Sequence, residues 1–215
     1  MQHGILWDND GVLVDTEGLF YEANRSLFAE HAIELTQQHF FDWFLQENRG
    51  AWHLLTQRGY SQDDITKLRE DRNQRYSRYL QNSESLAIDG IADVLHSLGH
   101  RYRMGIVTSS RFDHFHMIHH QLDLLRHFEF VVTDENYRNS KPAPDPYLLG
   151  LSKLNIPANH CLVIEDSPRG LQAALAAGLR CIVVRHAMSQ HYTFDGALCV
   201  VDSHADLLDA IYHNT

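Results

Sequence analysis

Hydrophobic residues along this chain fall into two rhythms. From about Thr16 to Leu86 they recur at helical spacing: Leu19, Ala23 and Leu27; Phe40, Phe41, Phe44 and Leu45; then Ile65, Leu68, Tyr76 and Tyr79. None of the five prolines lies there, all falling from Pro142 onward, so nothing breaks helices in that stretch. On either side the apolar residues gather into short runs closed by polar ones: Ile5 to Trp7, Met104 to Val107, Phe130 to Val132, Cys161 to Ile164, Cys181 to Val184 and Cys199 to Val201. Such runs, apolar on both faces, suit buried parallel strands. Helices fit between them. Ile91, Val94, Leu95 and Leu98 stop at Gly99; Asp145-Pro146 and Ser167-Pro168 each offer an N-cap and then a proline; Gly178 closes the last helix. Strand alternating with helix predicts an α/β fold, a Rossmann-like doubly wound parallel sheet formed by residues 1–15 and 87–215. Residues 16–86 form an inserted helical bundle.

Composition narrows what this fold serves. With 215 residues, 44% hydrophobic and 21% charged, the chain can build one sizeable core or a core and a smaller lid. A formal charge of -10, eighteen Lys plus Arg against 28 acids, argues against nucleic acid or an anionic membrane as partner. A phosphate would have to be held by a few local groups. The first residues lack the charged region and apolar core of a secretory signal, and no apolar run approaches the roughly 20 residues of a membrane helix. A cytoplasmic location with no obligatory protein partner is the expectation. Cys161, Cys181 and Cys199 are odd in number and sit in apolar runs, so they read as buried hydrophobes and not as a disulfide or zinc framework.

Ligands of such sheets bind where strands end, so the polar residues closing each apolar run carry the chemistry. The first run ends in Asp8-Asn9-Asp10-Gly11, two carboxylates two residues apart. They suit a capped turn or a cation site; a calcium loop would want glycine and glutamate where Leu13 and Leu19 stand. The second run ends in Thr108-Ser109-Ser110-Arg111, an ordinary hydroxyl cap or a cradle for an anion at a helix start. Then comes Lys141 in Ser140-Lys141-Pro142-Ala143-Pro144, a loop stiffened by proline, and the fourth run ends in Glu165-Asp166-Ser167. A sheet brings these four ends to one rim, and charge seldom collects at buried strand ends without a use.

Taken together, WDNDGVLVDTE, IVTSS, SKPAPDPYLL and VIEDSPRGLQAALAAG resemble, in order, the four motifs of the haloacid dehalogenase superfamily, in its branch of capped phosphatases and β-phosphoglucomutase-like enzymes. The resemblance spans essentially the whole chain and makes the bundle of residues 16–86 a cap. It implies an enzyme that uses Mg2+ to hydrolyse a small phosphorylated metabolite, commonly a sugar phosphate. By this similarity Asp8 is the nucleophile, Asp10 the general acid and base, Thr108 a phosphate ligand with Ser109 and Ser110 beside it, and Lys141 the cation linking nucleophile and phosphate. Asp8, Asp166 and the Asp10 carbonyl bind the metal, with Glu165 behind them through water. The cap would hinge near Asp15-Thr16 and Ala87 to Gly90.

Dehalogenases and phosphonatases of the superfamily lack the second acid of the first motif, which is present here. A phosphosugar mutase is the alternative reading; Phe20 stands where that enzyme carries histidine. A non-catalytic phosphometabolite-binding protein would have lost one of the four charged residues, and none is lost. Two cap arginines are substrate candidates. Arg72 shares a helix face with Leu68 and Tyr76 and could reach the substrate, or equally extend to solvent or pair with a cap carboxylate; Arg49 resembles the mutase's cap arginine. Sixteen histidines are unusual, and His116 and His120 stand four apart, but the stretch from His114 to His127 reads as a solvated helix face. Trp43, Trp52, Tyr76 and Tyr79 read as cap core.

Overall fold

The computed structural model describes residues 3–190 and 192–215. The chain forms two compact units, one of residues up to Asp15 with Leu86–Thr215, the other of Thr16–Ser85.

In the first unit, six strands form one parallel sheet: β1 (His3–Trp7), β2 (Tyr102–Val107), β3 (Phe130–Val132), β4 (Cys161–Glu165), β5 (Arg180–Val184) and β6 (Cys199–Val201). Their order is β3-β2-β1-β4-β5-β6, so β1 is central, with Ile5 beside Met104 on one flank and Leu162 on the other. Strands buried on both faces need apolar residues throughout, which is why Ile5, Leu6 and Trp7 are fully buried. Alternate residues point to opposite faces. One face gathers Leu6, Val107, Val132, Val163, Cys181 and Val183 into a core with Tyr147 and Leu154 of α7 (Asp145–Leu154) and Leu171 of α8 (Pro168–Ala176). Each such side chain taken from water contributes roughly 1.5–3 kcal/mol. Cys161 and Cys181 are buried and Cys199 partly so, all three as free thiols.

Helices on this frame start where short polar side chains satisfy the first free amides. Ser167 caps α8, its Oγ accepting the Gly170 N–H at 3.2 Å. Asp145 does not cap α7: its carboxylate accepts from Asn139 Nδ2 at 2.8 Å, and the helix takes Pro144 as its N-cap with Asp145 already inside.

The second unit is helical, with α1 (Glu17–Glu30) packed on α4 (Gln62–Gln81) and the short α2 (Gln37–Phe40) and α3 (Trp52–Gln57) between them in sequence. Ser61 and Asp64 form a capping box at the start of α4. The phenylalanine run does not continue α2. Its backbone widens into a π-helical turn over Phe41–Gln46, and Phe40, Phe41, Phe44 and Leu45 are all buried. Trp52 and Tyr76 are buried, Trp43 and Tyr79 only partly.

The chain leaves and re-enters the α/β unit at one place. Asp15 N donates to Leu86 O at 2.8 Å, Ile88 N to Leu13 O at 3.1 Å, and Val14 bridges Ala87 in antiparallel fashion. Leu86 therefore belongs with the sheet, one residue earlier than a boundary at 87. Among the described residues no helix is long and apolar enough to cross a membrane.

Candidate active site

The site lies at the carboxyl end of β1. Past Trp7 the chain turns tightly: Asn9 O accepts the N–H groups of Val12, Leu13 and Val14, and Gly11 N donates to Val14 O. Gly11 has φ +78°, and a Cβ there would fall 2.1 Å from Asp166 Oδ2, so only glycine lets this turn lie against the end of β4.

On the β4 flank the charges cluster. Lys141, 1% exposed, donates from Nζ to Asp8 Oδ1 and Glu165 Oε1, both at 2.7 Å, and to Val107 O at 3.0 Å. Tyr147 of α7 donates to Glu165 Oε1 at 2.6 Å, its ring lying under the ammonium at 4.8 Å. Glu165 Oε2 accepts from Asp166 N at 3.1 Å and from Ser167 Oγ at 3.1 Å. The carboxyl crowds Gly170, where a Cβ would come within 1.9 Å of Glu165 Cδ. Burial would raise the Glu165 pKa, but the Lys141 charge and these donors hold it below the ordinary carboxylate value. Lys141 likewise stays charged, because its carboxylates outweigh burial and lift its pKa.

Asp8 and Asp166 are less well compensated. Burial and the Glu165 charge push both pKa values well above the carboxylate range. No hydrogen bond of ordinary geometry reaches Asp166 Oδ2 among the described residues, although His186 Nε2 stands 3.2 Å away. Asp8, Glu165 and Asp166 each place one carboxylate oxygen within 4.8 Å of the others. An all-oxygen donor set with too little positive charge fits a hard divalent cation. Since both Glu165 oxygens already accept protein donors, Asp8 and Asp166 are the carboxylates left for direct ligation.

The β2 flank offers neutral donors. Asp10 Oδ2 accepts from Ser110 Oγ at 2.6 Å, Thr108 Oγ1 at 3.2 Å and Asn9 Nδ2 at 3.3 Å. Thr108 is buried and Ser109 and Ser110 partly exposed. The helix that follows, α6 (Phe112–His119), is not an open anion site at its first amide: Phe112 N donates to the Glu135 carboxylate at 3.0 Å.

Arg49 and Arg72 belong to the helical unit. Arg72 lies 4.6 Å over the Phe20 ring and donates to Asn24 Oδ1 at 3.2 Å and Asn73 Oδ1 at 2.9 Å. Arg49 is exposed, paired with Glu47 and over the Trp43 ring. The histidine stretch is only half a solvated face: His116 and His120 are exposed, whereas His114 and His119 are buried with Phe115 and Ile118, because they take the inner side of α6.

Four neighbours of the site escaped the sequence reading: Asn9, His119, Tyr147 and His186. Asn9 lies in the motif of Asp8 and Asp10, and Tyr147 in that of Lys141, an adjacency that signals their place in the site. His186, past the end of β5, accepts the Met188 N–H on Nδ1, which leaves Nε2 to face Asp166.

A model of the haloacid dehalogenase-like hydrolase family matches residues 5–184. Protein CbbY of Cereibacter sphaeroides is 27% identical, with 96% of this chain and 94% of that protein aligned. The fructose-1-phosphate phosphatase YqaB of Escherichia coli is 28% identical over 85% of this chain and 96% of its own. Among solved structures, CbbY from Rhodobacter sphaeroides in complex with xylulose-(1,5)bisphosphate superposes with a TM-score of 0.80 at 25% identity, covering 96% of each chain. With a match that spans most of the chain and a sheet whose strand ends gather the acids and lysine, this protein is an enzyme of the haloacid dehalogenase-like hydrolase family.

Proposed function

We propose that the chain is a magnesium-dependent phosphatase that hydrolyses a small phosphorylated metabolite, a sugar phosphate by preference, through a phospho-aspartate on Asp8. The observation that carries this reading is Lys141, buried between Asp8 and Glu165 at 2.7 Å from each. A carboxylate attacks a phosphate dianion only where cations offset the repulsion.

Magnesium held by Asp8, Asp166 and the Asp10 carbonyl would supply the remaining positive charge and polarise the phosphoryl oxygens. Asp8 Oδ2 would attack phosphorus as the P–O bond to the leaving group breaks. Asp10, its carboxyl held on the β2 flank, would give its proton to the departing oxygen and later take one from the water that cleaves the acyl phosphate, restoring Asp8. Thr108, Ser109 and Ser110 line that flank as donors to the phosphoryl group. Lys141 stays protonated throughout, and Glu165 holds it in place. The helical unit acts as the cap, with Arg49 and Arg72 as its candidates for binding the rest of the substrate.

The test is phosphate release from a panel of sugar phosphates, nucleotides and phosphoglycolate, with magnesium and with chelator, for wild type beside Asp8→Asn. Release that requires magnesium and Asp8 supports the reading. No release from any ester, with isomerised sugar phosphate in the same samples, replaces it with a mutase; neither product leaves a silent binding protein.

A further inference from the structure

His119 sits in the last turn of α6, 4% exposed, its ring 4.4 Å from that of Phe115. Its Nε2 stands 2.8 Å from Asn9 Oδ1. Asn9 is fully buried between the two acids that follow β1, and its Nδ2 donates to Asp10 Oδ2 at 3.3 Å. An amide in that setting has two orientations. With Nδ2 toward Asp10 it offers a donor to a carboxylate; turned over, it would set Oδ1 against that carboxylate, acceptor facing acceptor. The first orientation calls for a donor on the Oδ1 side. His119 supplies it: burial holds its pKa down to about 4 against the pull of Asp10, so the ring is neutral with a single N–H. Its Nδ1 has no hydrogen-bond partner among the described residues, which leaves the proton on Nε2, donated to Asn9.

We propose that His119 is a positioning residue for Asp10: through its Nε2–H it fixes the Asn9 amide in the orientation that holds the Asp10 carboxylate beside Thr108 and Ser110. The inference rests on the reading of Asp10 as the group that protonates the leaving oxygen. A histidine that merely fills space under α6 would affect folding and every substrate alike; one that aims an acid affects the substrates that need the acid.

The experiment follows kcat/KM, which reports departure of the leaving group, for two esters with magnesium present. The p-nitrophenolate ion leaves without a proton, whereas the alkoxide of a sugar phosphate requires one. His119→Phe keeps a ring and removes the donor. We expect its kcat/KM to fall on the order of tenfold for the sugar phosphate and by less than about twofold for p-nitrophenyl phosphate. In His119→Gln the amide nitrogen reaches the place of Nε2, and the sugar phosphate rate should return to within about threefold of wild type. Equal losses on both esters, or no rescue in a folded Gln variant, overturn the proposal. If His119→Phe does not fold, His119→Met replaces it. Should the wild type release no phosphate from any ester, the reading of the site fails independently, and the crystal structure of the donor-free variant decides: a turned Asn9 amide with a displaced Asp10 supports the proposal, and an unmoved pair overturns it.

Discussion

Asp8 and Asp10 leave one strand two residues apart and enter different surroundings. Asp8 turns to the β4 flank, into a buried cluster where three carboxylates share one lysine. Asp10 turns to the β2 flank, where two hydroxyls and an amide donate to its carboxylate. On the first flank the acids are held under electrostatic tension that a divalent ion would relieve. On the second, neutral donors meet the acid. Proximity in sequence therefore says little about role; the donors beside each carboxylate decide it.

The contrast can be broken most forcefully at Asp8. Asp8→Asn should lower phosphate release by roughly 10³-fold or more, because it removes the nucleophile. The metal-free variant should nevertheless melt at or above wild type by calorimetry, since one crowded carboxylate is gone. A clear loss of Tm would mean the cluster stabilises the fold. Asp10→Asn should cost roughly 10²–10⁴-fold in turnover while leaving magnesium affinity by calorimetric titration nearly unchanged, as its side chain lies outside the cluster of Asp8, Glu165 and Asp166.

Metal should report the same asymmetry through pH. The raised folded-state pKa values of Asp8 and Asp166 mean that, above the ordinary carboxylate range, the folded metal-free protein keeps protons the unfolded chain has released. Its stability then falls as pH rises toward those values. Magnesium takes the ionised form, so its stabilisation, about 2.7 kcal/mol at a hundredfold excess over Kd, should grow with pH and vanish with chelator. A Tm gain that ignores pH would count against this cluster as the metal site. The smallest effect belongs to the other flank. His119, lowered from 6.5 to about 4, stays neutral when folded while the unfolded chain takes up a proton. On going from pH 7.5 to 5, wild type should lose about 2 kcal/mol relative to His119→Gln in urea denaturation.

The strands were legible because burial on both faces leaves almost no polar residue inside a run, and that signal survives without any knowledge of neighbours. Asp8, Glu165 and Asp166 were legible for the same reason, each standing at the end of such a run, whereas Lys141, nine residues past β3, was legible from the prolines that stiffen its loop. His119 was not. Helical periodicity divides α6 into faces only roughly, and a histidine with a hydrogen bond to Asn9 more than a hundred residues away reads like its exposed neighbours His116 and His120. The π-helical turn at Phe41–Gln46 was hidden too, since an apolar run that tight fits either helix until its packing is known. Asp145 misled because a short acid before proline marks a helix start without saying which side of the boundary it occupies.

The ladder that joins Leu13 to Asp15 with Leu86 to Ile88 has a meaning for descent. Both ends of the inserted segment meet there, already paired to each other by the sheet-bearing unit. Genetic exchange between those two points would replace the whole insertion and disturb no strand register, so selection can rewrite the inserted helices while the inherited arrangement of acids and lysine passes on unchanged.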